Sequence, residues 1–164
     1  YAITAVLGTD KIMDKEKETF ISSTFWTEST GPTAALKTLE LMERQKSWVK
    51  ITKIGKYIIR NWIKIAKKNS VKIKIKGIPA LCSFEFQSKD NNLYKNFVTQ
   101  EMLKKGFLAN NTIYVSTAHR TSILKKYFKI LDNIFKVISK CEKNEDVYVY
   151  LNNKISEKKF SRLN

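Results

Sequence analysis

The sequence predicts a mixed fold, α/β material at its start passing into an α+β unit from about Ser47. Three observations carry that expectation. Two long runs of apolar residues at three- and four-residue spacing, one beginning at Trp48 and one at Leu124, read as amphipathic helices. Between them Val71-Lys-Ile-Lys-Ile-Lys76 alternates strictly, as a strand does when one face is buried and the other is in water. Before Ser47, two short strand-like runs alternate with helical ones. With 164 residues and 43% hydrophobic content, the chain is long enough to bury a real core.

Tyr1-Ala-Ile-Thr-Ala-Val-Leu-Gly8 reads as a buried strand from its first residue. Chain ends are usually looser, and there is no initiator methionine, so the sequence is expected to be the later part of something longer. Gly8-Thr-Asp10 is a turn, with Thr9 or Asp10 placed to cap a short charged helix over Lys11–Lys17. Thr19–Thr24 is a second short strand. From Phe20 to Leu36 the chain passes from apolar residues into a run dense in hydroxyls and reaches Gly31-Pro32. A helix is expected there, with Ala35, Leu36, Leu39 and Met42 on one side, since proline suits a first turn. Hydroxyls ahead of a helix N-terminus suit an anion, because they and the unpaired backbone N–H groups point the same way. Plain capping by Ser or Thr is the commoner use of such residues.

Ser47 is placed to cap the next helix, whose stripe is Trp48, Ile51, Ile54, Ile58, Trp62 and Ile65. Its other face, with Lys50, Lys53, Arg60, Lys64 and Lys67, reads as a solvated face rather than the seat of an anionic partner. Gly77-Ile-Pro79 is expected to turn the chain, so that Ala80–Gln87 pairs with Val71–Lys76 as a hairpin. Asp90-Asn-Asn92 supplies caps for a helix bearing Leu93, Phe97, Val98 and Met102 that stops near Gly106. Thr112–Ser116 is a short strand, and a long helix follows with Leu124, Phe128, Leu131, Phe135 and Ile138 inward. A short helix is expected around Val147–Leu151, then a loose tail.

The formal net charge of +16 would ordinarily suggest nucleic acid. Only Arg44, Arg60, Arg120 and Arg162 are arginines, however, and the lysines are spread over every element, so a solvated lysine surface is the expectation. No run approaches the length of a membrane span, and no signal peptide is expected. Cys82 and Cys141 lie far apart and His119 is the sole histidine, which excludes a usual Cys/His zinc site and suggests a reducing, cytoplasmic setting. His119 has no evident Ser or Asp partner and reads as structural. The sequence has no dinucleotide or phosphate-binding glycine loop and no His-Glu-x-x-His helix. Glu16/Glu18 and Glu145/Asp146 sit in exposed contexts, and no lysine stands in the apolar setting that would activate it. By itself the chain does not read as a complete enzyme.

Ser22-Ser-Thr-Phe-Trp-Thr-Glu28, followed by Gly31-Pro-Thr-Ala-Ala-Leu-Lys-Thr-Leu39, resembles the class III aminotransferases, which use pyridoxal phosphate. The likeness is to their glutamate-1-semialdehyde aminomutase-like branch. Tyr1–Gly8 resembles the strand after the cofactor-lysine loop, and Tyr114-Val-Ser-Thr-Ala-His119 and Phe160-Ser-Arg-Leu163 resemble the C-terminal domain and tail. The resemblance implies the C-terminal part of a fold-type I pyridoxal-phosphate transferase. Residues 1–46 would end the large cofactor domain, 47–141 would form the small α+β domain, and 142–164 the tail. It implies a homodimer acting on a small amino and keto or aldehyde substrate, with the Schiff-base lysine upstream of Tyr1 and no catalytic residue in this chain. It further implies that Thr24, with Ser23 beside it, contacts the phosphate of the neighbouring subunit's cofactor. Ser23 stands where the family often has glycine and Ser29 where relatives have arginine. Asn110-Asn111 do not match the aminomutase's acidic loop, which favours a relative of unknown substrate. A basic α+β module binding a polyanion and a noncatalytic dimerisation remnant are the alternatives.

Overall fold

The structure, a computed structural model, describes residues 3–19 and 27–152. The chain divides into two compact units, Tyr1–Ser47 and Trp48–Asn164.

In the first unit, residues 3–9 take no regular structure, and Val6 and Leu7 are 83% and 90% exposed. The buried strand expected over Tyr1–Gly8 is therefore not formed in its described part. A strand needs ladder partners for its N–H and C=O groups, and no described residue of this unit is a strand. Helix α1 (Asp10–Met13) continues into a 3-10 turn over Asp14–Glu18. The Thr9 carbonyl accepts from the Ile12 and Met13 N–H groups, both at 2.9 Å, while its hydroxyl makes no cap. The strand expected over Thr19–Thr24 lies, beyond Thr19, outside the described residues. Helix α2 (Thr30–Gln45) begins two residues ahead of Pro32 and ends at Lys46, which turns left-handed at φ 47. Its expected inward residues Leu36, Leu39 and Met42 are exposed, whereas Ala34, Ala35 and Leu41 are half-buried.

The second unit has the expected order of helix, strand, strand, helix, strand, helix. Helix α3 (Ser47–Lys68) buries Ile58, Trp62 and Ile65. Ser47 is its first residue rather than a cap, and its buried Oγ has no hydrogen-bond partner among the described residues. Strands β1 (Ile73–Ile78), β2 (Leu81–Phe86) and β3 (Thr112–Tyr114) form an antiparallel meander in that order. β1 pairs β2 from Ile73↔Phe86 to Ile78↔Leu81, so the turn is Pro79-Ala80 and the strand runs through Gly77. Gly77 adopts φ +81, where a Cβ would lie 2.2 Å from the Leu81 carbonyl oxygen. Helix α4 (Asn91–Lys104) buries Leu93, Phe97, Val98 and Met102 and is closed by Gly106 at φ +77. Asp90 makes no side-chain cap; instead the Asn91 Oδ1 accepts from the Phe86 N–H at 3.0 Å. Helix α5 (Thr121–Cys141) buries all five residues of its expected stripe, and a 3-10 turn follows at Val147–Tyr150. Gln100 ties that turn to α4, donating to the Tyr150 carbonyl at 2.8 Å and accepting from the Asn152 N–H at 2.8 Å.

Helices α3, α4 and α5 cover one face of the sheet. From β2, Phe84 meets Trp62 of α3 edge-on at 4.9 Å and Phe135 of α5 at 5.8 Å, and Phe86 meets Tyr94 of α4 at 5.4 Å. The Trp62 indole N–H donates to the Tyr127 hydroxyl at 3.0 Å. Gly55 lets α3 lie against the hairpin turn: a Cβ there would come 1.8 Å from the Pro79 carbonyl oxygen. On the sheet's other face Lys76 pairs with Glu85 at 2.7 Å.

Candidate functional site

The start of α2 is where the sequence places an anion. The anion found there is the chain's own. Glu28 accepts from the Thr30 N–H at 2.7 Å and from the Gly31 N–H at 3.0 Å, one carboxylate oxygen to each. A carboxylate suits this position because the first N–H groups of a helix lack intrahelical partners and carry its positive end. The Thr30 side chain and the Gly31 N–H hold the Glu28 carboxyl below its ordinary range. The hydroxyl-rich run therefore ends in a capped helix start, and the cap is an acid rather than a Ser or Thr. Ser29 occupies the cap position without a side-chain bond. Thr24 and Ser23, the residues assigned to the cofactor phosphate, lie outside the described residues.

In the second unit a groove of about 320 Å³ is lined by Phe107, Leu108, Tyr114, His119, Ile123 and neighbouring residues. His119 has a partner that sequence reasoning missed. The Ser116 N–H donates to His119 Nδ1 at 3.0 Å, and the Ser116 Oγ lies 3.1 Å from the same nitrogen. The Ser116 carbonyl oxygen also lies 3.3 Å from Nδ1, so all three of these polar atoms of Ser116 gather on one ring nitrogen. These contacts tie the ring to the turn ahead of α5, and they correct the expectation that His119 has no Ser partner. The signal was the three-residue spacing from Ser116, which suits a tight turn.

A second groove, about 590 Å³, lies between the start of α4 and the chain after α5, lined by Asp90, Tyr94, Cys141, Glu142 and Lys143 among others. Burial, then the Glu142 carboxylate, push the Tyr94 hydroxyl above its ordinary range. Burial and the nearby Glu145 push the Cys141 thiol up, so neither group is poised as a nucleophile. Among the described residues no group of His, Cys, Asp and Glu stands together to hold a metal ion. No described helix is long and apolar enough to cross a membrane.

No lysine whose side chain is described is buried, and the Thr30 and Gly31 N–H groups of α2 are taken by Glu28. The described residues therefore do not by themselves fit a pyridoxal-phosphate site, which needs a desolvated lysine and free phosphate donors.

No protein-family model matches the chain. Over 101 residues it is 30% identical to the 3-aminobutyryl-CoA aminotransferase of Cloacimonas acidaminovorans (strain Evry), a match covering 61% of this chain and 24% of that protein. Its structure is similar to the PLP internal aldimine form of the FumI protein of Sphingopyxis sp. MTA144. The TM-score is 0.70 at 16% identity, over 88% of this chain and 36% of the other. The chain thus spans about a quarter of the curated relative and about a third of the solved one. At this identity the second likeness is one of fold: the chain shares the fold of about a third of that protein.

Proposed function

We propose that this chain is the C-terminal portion of a pyridoxal-phosphate-dependent aminotransferase of the class III kind, acting only within a larger homodimeric protein. The observation that carries this is the fold likeness to a PLP-bearing protein over 88% of the chain. The 30% identity to a protein named as an aminotransferase supports it. In such an enzyme the cofactor supplies the electron sink that lets an amino group move between an amine and a carbonyl compound. This chain's share is support and positioning. Thr24 donates its hydroxyl hydrogen bond to the phosphate of the cofactor in the neighbouring subunit, and Ser23 adds a second donor beside it. The Schiff-base lysine lies upstream of Tyr1, so the chain holds no group that reacts with the substrate. The substrate is a small amino compound with a keto or aldehyde counterpart. The unmatched Asn110-Asn111 and Ser29 favour a relative with its own substrate over the aminomutase itself.

In the full-length protein carrying this segment, Thr24→Val should weaken cofactor affinity by about tenfold, as loss of one charge-assisted hydrogen bond does. Equilibrium dialysis against the cofactor measures it, and unchanged affinity removes the phosphate role. The 164-residue chain alone, mixed with cofactor and an amino donor, should show no turnover. Turnover by that chain would place the reactive lysine within it and sink the assignment.

A further inference from the structure

The exposed face of α3 is strongly basic. From Ser47 to Lys68 the helix carries Lys50, Lys53, Lys56, Arg60, Lys64, Lys67 and Lys68 and no acidic residue. At about 100° per residue all of these fall within an arc of about 120°. The run from Lys50 to Lys67 extends about 25 Å along the helix at its ordinary rise. Burial of Ile58 and Trp62 on the other side fixes that face outward. Some lysines elsewhere have carboxylate partners: Lys15 with Glu18, Lys37 with Glu40, Lys76 with Glu85, Lys104 with Glu101. On α3 only Lys68 has one, Asp132, among the described residues. Like charges a turn apart repel, and the acids that relieve this on α2 and α4 are missing here. An open basin of about 490 Å³ lies among Lys53, Lys56, Ile59 and Arg60, with room for phosphate groups.

We propose that this face of α3 binds nucleic acid through its phosphates, without reading sequence. Duplex DNA carries about one charge per 1.7 Å of axis, so about 25 Å of duplex offers every cation of the stripe a phosphate. Five of the six cations from Lys50 to Lys67 are lysines, point charges that neutralise phosphates without the planar fork that reads bases. A membrane surface is less well matched, because the helix turns its main apolar face into the core instead of offering it for insertion. The inference stands independently of the aminotransferase reading.

The test is fluorescence-anisotropy titration of the full chain with a labelled mixed-sequence duplex at several salt concentrations. Two fourfold variants are compared. One carries Lys53→Gln, Lys56→Gln, Arg60→Gln and Lys64→Gln; the other removes the same charge elsewhere, by Lys11→Gln, Lys89→Gln, Lys126→Gln and Lys143→Gln. All eight side chains are exposed, and circular dichroism verifies the fold. The α3 variant should bind more than about tenfold more weakly and flatten the salt slope by about three to four units. The control should lose no more than about threefold, the share of net charge alone. Equal losses in the two variants would overturn the proposal by reducing it to net charge. Absence of duplex binding at low salt would overturn it, as would binding to phosphatidylserine–phosphatidylcholine vesicles in preference to the duplex.

Discussion

Trp62 and Tyr127 show how much a single hydrogen bond can carry in this core. Trp62 is fully buried, and its indole N–H finds the Tyr127 hydroxyl at 3.0 Å. Tyr127→Phe strands that donor where water cannot reach it and should cost about 1–3 kcal/mol in urea unfolding. Adding Trp62→Phe to that variant should cost less than it does in the unaltered chain, since the donor is already orphaned. Partnerships of this kind were illegible in the sequence because the two residues are far apart along it. Glu28 was hidden for another reason. Its role depends on where α2 starts, and Pro32 pointed to a start two residues later than Thr30. The partner of His119, Ser116, was missed although it stands only three residues away, because a three-residue turn is not written in residue type.

At the scale of elements, the helical stripes were legible because a helix with one buried side must repeat its apolar residues every three or four positions. Leu124, Phe128, Leu131, Phe135 and Ile138 are all inside. The same pattern in α2 points to Leu36 and Leu39, yet they are exposed, because periodicity tells which side is apolar and not what covers it. Strand ends were less legible. Gly77 looks like a turn residue and has the positive φ of one, but it is paired with Cys82 inside the ladder. Elements are also tied by charge. Asp132 of α5 accepts from Lys68 of α3 at 2.6 Å and from Asn69 at 2.8 Å. Burial pushes its carboxyl up, but the Lys68 ammonium and Asn69 amide together outweigh that and hold it below its ordinary value. A depressed folded-state value contributes stability above the unfolded carboxyl's pKa of about 3.9 and loses it as pH falls through the folded value. Asp132→Asn should therefore destabilise by up to about 1 kcal/mol near neutral pH and by little at about pH 2. Denaturation midpoints at the two pH values measure the difference, and an equal effect at both would dismiss the ionic tie.

For the whole molecule, the two units are unequally furnished. The second closes a continuous core from Ile58 to Val147, while the first leaves Val6, Leu7, Leu36 and Leu39 exposed. Amides of α4, α5 and β2 should accordingly be protected from hydrogen exchange, and those of residues 3–9 should exchange at near-intrinsic rates. Protection of residues 3–9 to the level of α5 would mean that the strand expected from Tyr1–Gly8 does form. The order of elements after Ser47 was legible throughout because each carries its own pattern and the connections are short. The state of Tyr1–Gly8 was not, since a strand's partner is never written in the strand.

Gly55 has a further meaning for how the sequence can vary. The space between α3 and the Pro79 carbonyl oxygen has no room for even one carbon, and every other amino acid brings one. No replacement at 55 is conservative, and in a library of all single substitutions that position should stand as an empty column. Gly106, where a Cβ would meet nothing within 4 Å and only the positive φ restricts the choice, should still admit asparagine. Two glycines that look alike in the sequence thus differ in how freely they can drift.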